Sequence, residues 1–314
     1  MQAILRGLSL AGQFLRSFGI ALGALVALAP GLAVAAAGHA TPGQIGFQDS
    51  VTPVMDEITT FHNGMLMWII TGIVLLVLVL LLIIIFRFND KANPVPAKFT
   101  HNTLVEIIWT VLPVLILVVI AIPSFAILTD QETMPDGARK YLGTSIFNFG
   151  SVDVPAPALS VKATGNQWYW TYEYPDLKAH YDSNILADDA RLSTKPTEPR
   201  LLAVDHELVV PVNTTVRVQV TGSDVIHSFA VPSFGIKIDA VPGRLNETWF
   251  NARKVGIYYG QCSQLCGKDH AFMPIAVRVV TQDQYDAWVK ALQAGSVDDA
   301  NKTLPPLSAD QSGA

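Results

Sequence analysis

Gly260-Gln261-Cys262-Ser263-Gln264-Leu265-Cys266-Gly267-Lys268-Asp269-His270-Ala271-Phe272-Met273-Pro274 holds both cysteines of the chain. His270 follows the second cysteine by four residues, and Met273 follows that histidine by three. Thiolate, thioether and imidazole donors suit copper better than magnesium, calcium or manganese, which prefer oxygen. A further imidazole is available upstream at His227, in Ser223-Asp224-Val225-Ile226-His227-Ser228-Phe229-Ala230-Val231-Pro232, a stretch that reads as a strand ending in a turn. The loop itself follows the strand-like Val255-Gly256-Ile257-Tyr258-Tyr259. It therefore reads as the connection between two late strands of a β-domain.

Three other readings of the same residues stay open at this level. Cys262 and Cys266 could form a disulfide, the usual fate of paired cysteines in an exported domain, although a disulfide has no use for His227, His270 or Met273. Zinc could be held by two thiolates and two imidazoles, leaving Met273 idle. A thiol–disulfide or copper-delivery site is the third, but such sites usually open a helix. A mononuclear electron-transfer copper needs one thiolate. Two on one loop can bridge two coppers, sharing the electron so that geometry changes little on reduction.

Outward from the loop, short apolar runs alternate with Pro, Gly and Asn: Ala158-Leu159-Ser160-Val161-Lys162-Ala163, Leu201-Leu202-Ala203-Val204, Leu208-Val209-Val210 and Val216-Arg217-Val218-Gln219-Val220. Period-two segments bounded by turn residues predict a sandwich or barrel. Gln167-Trp168-Tyr169-Trp170-Thr171-Tyr172-Glu173-Tyr174 reads as an aromatic strand, with Trp168, Trp170 and Tyr172 on one face and Tyr169 on the other. Thr281 opens a helix predicted over 282–294, with Tyr285, Trp288, Val289 and Leu292 on one face. Residues 295–314 are polar and read as a disordered tail.

Half of the 314 residues are hydrophobic and 15% are charged, an average that hides a split along the chain. Arg6 and Arg16 precede an apolar run ending in Leu32-Ala33-Val34-Ala35-Ala36-Ala37, so residues 1–40 read as a cleaved export signal. Residues 41–128 then read as an exported segment followed by two membrane spans, about 65–86 and 104–128. The first, of 22 residues, reaches about 33 Å, enough for a bilayer core. The link carries Arg87, Lys91 and Lys98 against Asp90, whereas Asp130, Glu132 and Asp136 lie beyond the second span. The positive-inside rule places the link in the cytoplasm and both ends outside. Residues 129–314 carry 21 acids and 16 bases, a net charge of −5, which gives no basic footprint for nucleic acid. Glu106 lies in the first turn of the second span. The helix dipole favours an anion there.

The 262–273 stretch resembles the CuA loop of subunit II of haem-copper cytochrome c oxidases, and the resemblance extends over roughly residues 45–292. It implies a two-helix transmembrane hairpin followed by an all-β cupredoxin-like sandwich over 129–294. It also implies that Cys262 and Cys266 bridge two coppers, that His227 and His270 bind one each, and that Met273 and the backbone carbonyl of Gln264 complete the set. By the same resemblance Trp168 receives electrons from cytochrome c, and Glu173, Asp176, Asp205 and Asp224 dock it. Glu106 matches the Glu at the mouth of a proton channel of subunit I. Asp239 and Arg244, in Asp239-Ala240-Val241-Pro242-Gly243-Arg244-Leu245-Asn246, face the haem propionates there. The implied partners are oxidase subunits I and III and cytochrome c, in a bacterial inner membrane.

Two departures stand out. The family usually has Glu at Gln264, where the side chain also binds magnesium or manganese, and a neutral amide is a poorer ligand for a hard cation. It usually has His at Asn166. A quinol oxidase subunit would lack the copper ligands, and a fused cytochrome c domain would need Cys-x-x-Cys-His, which is missing. The alternative from another class is a membrane-anchored copper- or zinc-binding protein without an electron-transfer role. His39, His62, His101, His180 and His206 have no ligand spacing.

Overall fold

The computed structural model describes residues 38–95, 97–138, 140–141 and 152–305. Most of the expected export signal, 1–37, and the last part of the expected tail, 306–314, lie outside the described residues.

Helix α1, Pro53–Phe61, starts where Thr52 accepts the Met55 N–H at 3.2 Å and proline occupies the first turn. A π-type turn, His62–Leu66, carries the chain into α2, Met67–Arg87. Helix α3, Thr103–Glu132, is capped by Asn102 and contains Pro113 and Pro123. α2 has no buried residue and is apolar on every side, as a lipid-facing helix must be. Both are long and apolar enough to cross a membrane.

The hairpin docks on the β-domain through α1 and the last turn of α3. Val54 packs with Val154 and Trp249, and Phe61 and Met65 pack with Ile127. The Trp249 indole N–H donates to the Asp130 carbonyl at 3.1 Å, and the Gln131 amide donates to the Gly235 carbonyl at 2.8 Å. α1 lies in the stretch expected to be a polar exported segment. Val54, Met55, Ile58 and Phe61 recur at helical spacing, and that stripe is what it buries.

A small ladder pairs β1, Lys140–Tyr141, with β2, Val152–Asp153. The sandwich follows as β3 (Leu159–Asn166), β4 (Tyr169–Tyr174), β5 (Ala179–Ser183), the short helix α4 (Asp188–Thr194), β6 (Leu208–Pro211), β7 (Thr215–Gly222), β8 (His227–Val231), β9 (Ile236–Ala240), β10 (Asn246–Asn251), β11 (Gly256–Cys262) and β12 (Pro274–Val280). One sheet runs β10-β7-β3-β4-β5 and the other β6-β12-β11-β8-β9. β3–β7 and β6–β12 are parallel pairs and the other pairs in the two sheets are antiparallel. Leu159, Val161, Ala163, Trp170, Tyr172 and Tyr174 turn inward against Phe229, Val231, Tyr258, Val277 and Val279 of the facing sheet. That alternation is the period-two pattern of the sequence made physical.

Three boundaries differ from expectation. Residues 38–40, counted with the export signal, are part of the fold: Gly38 accepts the Tyr259 N–H at 2.8 Å and His39 is buried beside the Tyr259 ring. A side chain at Gly38 would sit 1.8 Å from the Ile257 carbonyl oxygen, so the close approach needs glycine. Residues 295–305, counted with the disordered tail, are also folded. After α5, Gln282–Ala294, with its Thr281–Gln284 capping box, Ser296 caps a short helix α6, Val297–Asn301. Trp288 donates to the Asn301 side chain at 3.1 Å and Arg278 to the Pro305 carbonyl at 2.9 Å, and these bonds hold the segment down. Finally, Trp168 lies in the β3–β4 turn and not on the inward face of β4, because β4 begins one residue later.

Candidate metal centre

β11 delivers Cys262 and β12 begins just after Met273, so the loop between them hangs from two ladders. Gln261 pairs with Pro274, and Cys262 pairs with Phe229 of β8. β8 opens with His227, which puts that imidazole against the first cysteine. The Cys262 and Cys266 sulfurs are free thiols 3.8 Å apart. His227 Nδ1 is 3.9 Å from Cys262 Sγ, and the Gln264 carbonyl oxygen is 3.3 Å from the same sulfur. On the other side, His270 Nδ1 is 3.5 Å and Met273 Sδ 3.6 Å from Cys266 Sγ. Cys262, Cys266, Met273 and His227 are all buried, at 6%, 4%, 1% and 0% exposure.

The donors thus form two groups that share the sulfurs. His227, Cys262 and Cys266 lie within 4.8 Å of one another, and His270 is outside that set. A single tetrahedral ion would need both imidazoles and both sulfurs around one point. His227 and the Gln264 carbonyl stand near Cys262, and His270 and Met273 near Cys266, a set with enough donors for two soft metal ions bridged by the thiolates. Burial pushes the Cys262 thiol up, but His227 and the backbone of Gln264 and Ser228 bring it down to about 6. Burial and the neighbouring Cys262 raise Cys266 to about 12. Metal binding to the pair would displace the thiol protons that remain.

The supporting shell is well defined. His227 Nε2 faces Asp224 Oδ1 at 2.8 Å, so the proton sits on Nε2 and Nδ1 is left for a metal. The other oxygen of Asp224 accepts the Gln167 N–H at 2.8 Å. The Gln167 side-chain amide donates to the Cys266 carbonyl at 2.7 Å. The Trp170 indole donates to the Met273 carbonyl at 3.3 Å. Gly165 and Gly267 are vacancies the site needs. A Cβ at Gly165 would lie 2.9 Å from the His227 ring. At Gly267, where φ is +129, it would lie 2.8 Å from the Trp168 ring. None of Gln167, Gly165 and Gly267 was singled out from sequence, although an isolated glycine in a strand such as Gly165 does signal a close approach.

Trp168 is half-buried against this loop, with Lys268 Nζ 5.6 Å from its ring centroid. The four acids expected to dock a partner do not form one patch. Asp224 is at the centre, bonded to His227. Asp205 accepts the N–H of Asn184, the residue after β5, at 2.7 Å, near the Trp170 end of β4. Glu173 lies four residues along β4 from Tyr169, about 13 Å away, and is paired with Lys162 at 2.7 Å. Asp176 is exposed beyond that end of the strand. Asp239, in β9, and Arg244 flank a turn in which Pro242 is half-buried and Gly243 exposed. Asn166 sits beside the site, accepting from Ser223 at 2.6 Å and donating to Thr171 at 3.0 Å. Glu106 is far away: it lies 26 residues before the sandwich end of α3, about 39 Å along the helix. Its carboxylate accepts the Asn102 N–H at 3.2 Å, a helix-capping contact.

The family model described as cytochrome c oxidase subunit II, periplasmic domain, matches residues 159–280, and that described as cytochrome c oxidase subunit II, transmembrane domain, matches residues 40–127. The chain is 48% identical over 264 residues to a "Probable cytochrome c oxidase subunit 2" of Rickettsia bellii, covering 84% of this chain and 89% of the relative. It is 41% identical over 287 residues to the cytochrome c oxidase subunit 2 of Cereibacter sphaeroides, covering 87% and 88%. Among solved structures, the periplasmic domain of subunit II of cytochrome oxidase of Bradyrhizobium japonicum is 60% identical, with a TM-score of 0.40, covering 44% of this chain and 94% of that one.

Proposed function

The chain belongs to the cytochrome c oxidase subunit II family, and on that premise we propose that it is the electron-accepting subunit of a haem-copper oxidase. Electrons from reduced cytochrome c would come in at Trp168 and pass to a copper pair that Cys262 and Cys266 would hold. They leave for the haem of subunit I, where dioxygen is reduced to water with proton pumping. His227, the Gln264 carbonyl, His270 and Met273 complete the ligand set. The observation that carries this reading is the division of the donors into two groups sharing sulfurs 3.8 Å apart.

When bound, the copper pair supplies a one-electron store that changes shape little between oxidation states. The chain's own part is to hold that shape. The ladders fix both ends of the loop, Asp224 keeps the His227 proton on Nε2, and burial of both sulfurs keeps water from them. Metal analysis and electron paramagnetic resonance on the purified oxidase test this directly. Two coppers sharing one unpaired electron, beyond the copper that subunit I of a haem-copper oxidase holds itself, is the expected result, and zinc at this loop, or a Cys262–Cys266 disulfide that excludes copper after reduction, overturns it.

The chain is membrane-anchored by α2 and α3. We place it in a bacterial inner membrane, with the basic link in the cytoplasm and the copper domain outside. Subunit III is a further expected partner. The Gln264 amide is a poor magnesium or manganese ligand, so manganese added to the growth medium is expected to leave no signal beside this loop. Glu106 is proposed to stand at the mouth of a proton channel of subunit I. Turnover lost in Glu106→Gln and kept in Glu106→Asp supports that role, and turnover kept in both leaves it a helix cap.

A further inference from the structure

We propose that Gln167 is a positioning residue for electron input: its two hydrogen bonds clamp the Trp168 turn to the copper loop at Cys266 and to Asp224, the partner of His227. The proposal rests on Trp168 being where electrons come in.

The β3–β4 turn that carries Trp168 has no ladder of its own to the copper loop, because β3 and β4 belong to one sheet and β11 and β12 to the other. Something must therefore join the two sheets at this end. Gln167 does so twice. Its backbone N–H donates to Asp224 at 2.8 Å, and the same carboxylate holds His227. Its side-chain amide donates to the Cys266 carbonyl at 2.7 Å. The residue next to Trp168 is thus tied to the neighbour of one candidate ligand and to the backbone of another. Glycine at 267 completes the seat, since any Cβ there would strike the indole.

Electron tunnelling falls steeply with the gap between donor and acceptor, so the seating of the indole on the loop sets the rate. One electron leaves the reduced partner and one arrives at the copper pair, and no atom or proton is transferred. The Cys266 carbonyl needs a donor, and a glutamate at 167 offers only an acceptor of the same size. Two acceptors would then face each other, and the turn is expected to lift off the loop. This is a different role from docking, which acts on partner affinity and its salt dependence.

The test uses the assembled oxidase carrying Gln167→Glu or Gln167→Leu, with Trp168→Phe alongside. Electron input is followed by rapid kinetics from reduced cytochrome c, together with KM, its salt slope and the copper paramagnetic resonance spectrum. We expect input in both Gln167 variants to slow by about tenfold or more, as for other small misplacements of reacting groups, with KM, salt slope and copper spectrum unchanged. Unchanged input in both variants overturns the proposal. So does a raised KM at unchanged maximal rate, which makes Gln167 a docking contact, or an altered copper spectrum, which makes it a loop support. If Trp168→Phe also keeps the wild-type input rate, the reading of Trp168 fails first. A slow Trp168→Phe beside fast Gln167 variants removes only the clamp.

Discussion

Asp224 shows how a single side chain changes meaning once its direction is known. Sequence placed it among the docking acids, and its three-residue spacing from His227 was in view, but spacing along a turn does not say which way a carboxylate points. In the structure both oxygens are engaged, one by His227 and one by the Gln167 N–H. Asp224→Asn is expected to weaken copper retention by about tenfold, the usual loss when the partner of a metal-bound imidazole is removed, measured by competition with a chelator. Asp205→Asn is expected to leave retention unchanged, because Asp205 bonds to Asn184 and to the His206 N–H and touches no candidate ligand. Gly165→Ala is a steric test of the same centre. Its new methyl group meets the His227 ring at 2.9 Å, which should cost about 1–3 kcal/mol by overpacking and lower the melting temperature along with the copper content.

Between α4 and β6 the chain crosses the outer face of the second sheet and buries charge. Glu198 and Glu207 are 2% and 1% exposed, and Lys195 and Arg278 lie between them. Burial raises Glu198 to about 7 despite Lys195 and Arg278, and nearby Glu207 pushes it the same way. Burial also pushes Glu207 up, but Lys195 and Arg278 outweigh it and hold that carboxyl below its usual range. The folded chain therefore binds an extra proton at Glu198 between the ordinary glutamate pKa and about 7. The stabilisation is full below that window and is lost as pH rises through it. Between pH 5 and pH 8 the domain is expected to lose about 3 kcal/mol at most from this group. Glu198→Gln should flatten the dependence and melt higher than the wild type at pH 8, measured by thermal unfolding at both pH values. This pair was invisible in sequence, since Lys195, Glu198, Glu207 and Arg278 meet only when β12 lies beside β6. α5 was legible to the residue because a capping box and an apolar stripe are local signals. α1 and α6 were not, being short and stabilised by what they pack on.

Taken as a whole, the molecule is an apolar hairpin joined to an acidic domain. A domain with five more acids than bases over residues 129–314 should attract a basic cytochrome c, with an association rate that falls about tenfold from low to physiological salt. The acids expected to dock it fall at two places in the fold. Asp205 and Asp224 lie at the Trp168 end of the sandwich, while Glu173 and Asp176 lie at the other end of β4. The double change Asp205→Asn with Asp224→Asn should therefore slow association in stopped-flow more than Glu173→Gln with Asp176→Asn. The hairpin, the strand periodicity and the set of soft donors at 262–273 were all legible in the sequence alone. Each is a local or compositional property, carried by runs of apolar residues, alternation and ligand chemistry. Only the tertiary structure decided that His227 stands against Cys262 across a strand ladder, that Asp224 meets His227 and the Gln167 N–H, that the Gln167 amide reaches the Cys266 carbonyl, and that Gly165 leaves room for an imidazole. The contacts His227–Cys262, Gln167–Asp224 and Gln167–Cys266 join residues 35 to 99 positions apart, and they exist only after β11 has paired with β8 and the two sheets have closed over a common core.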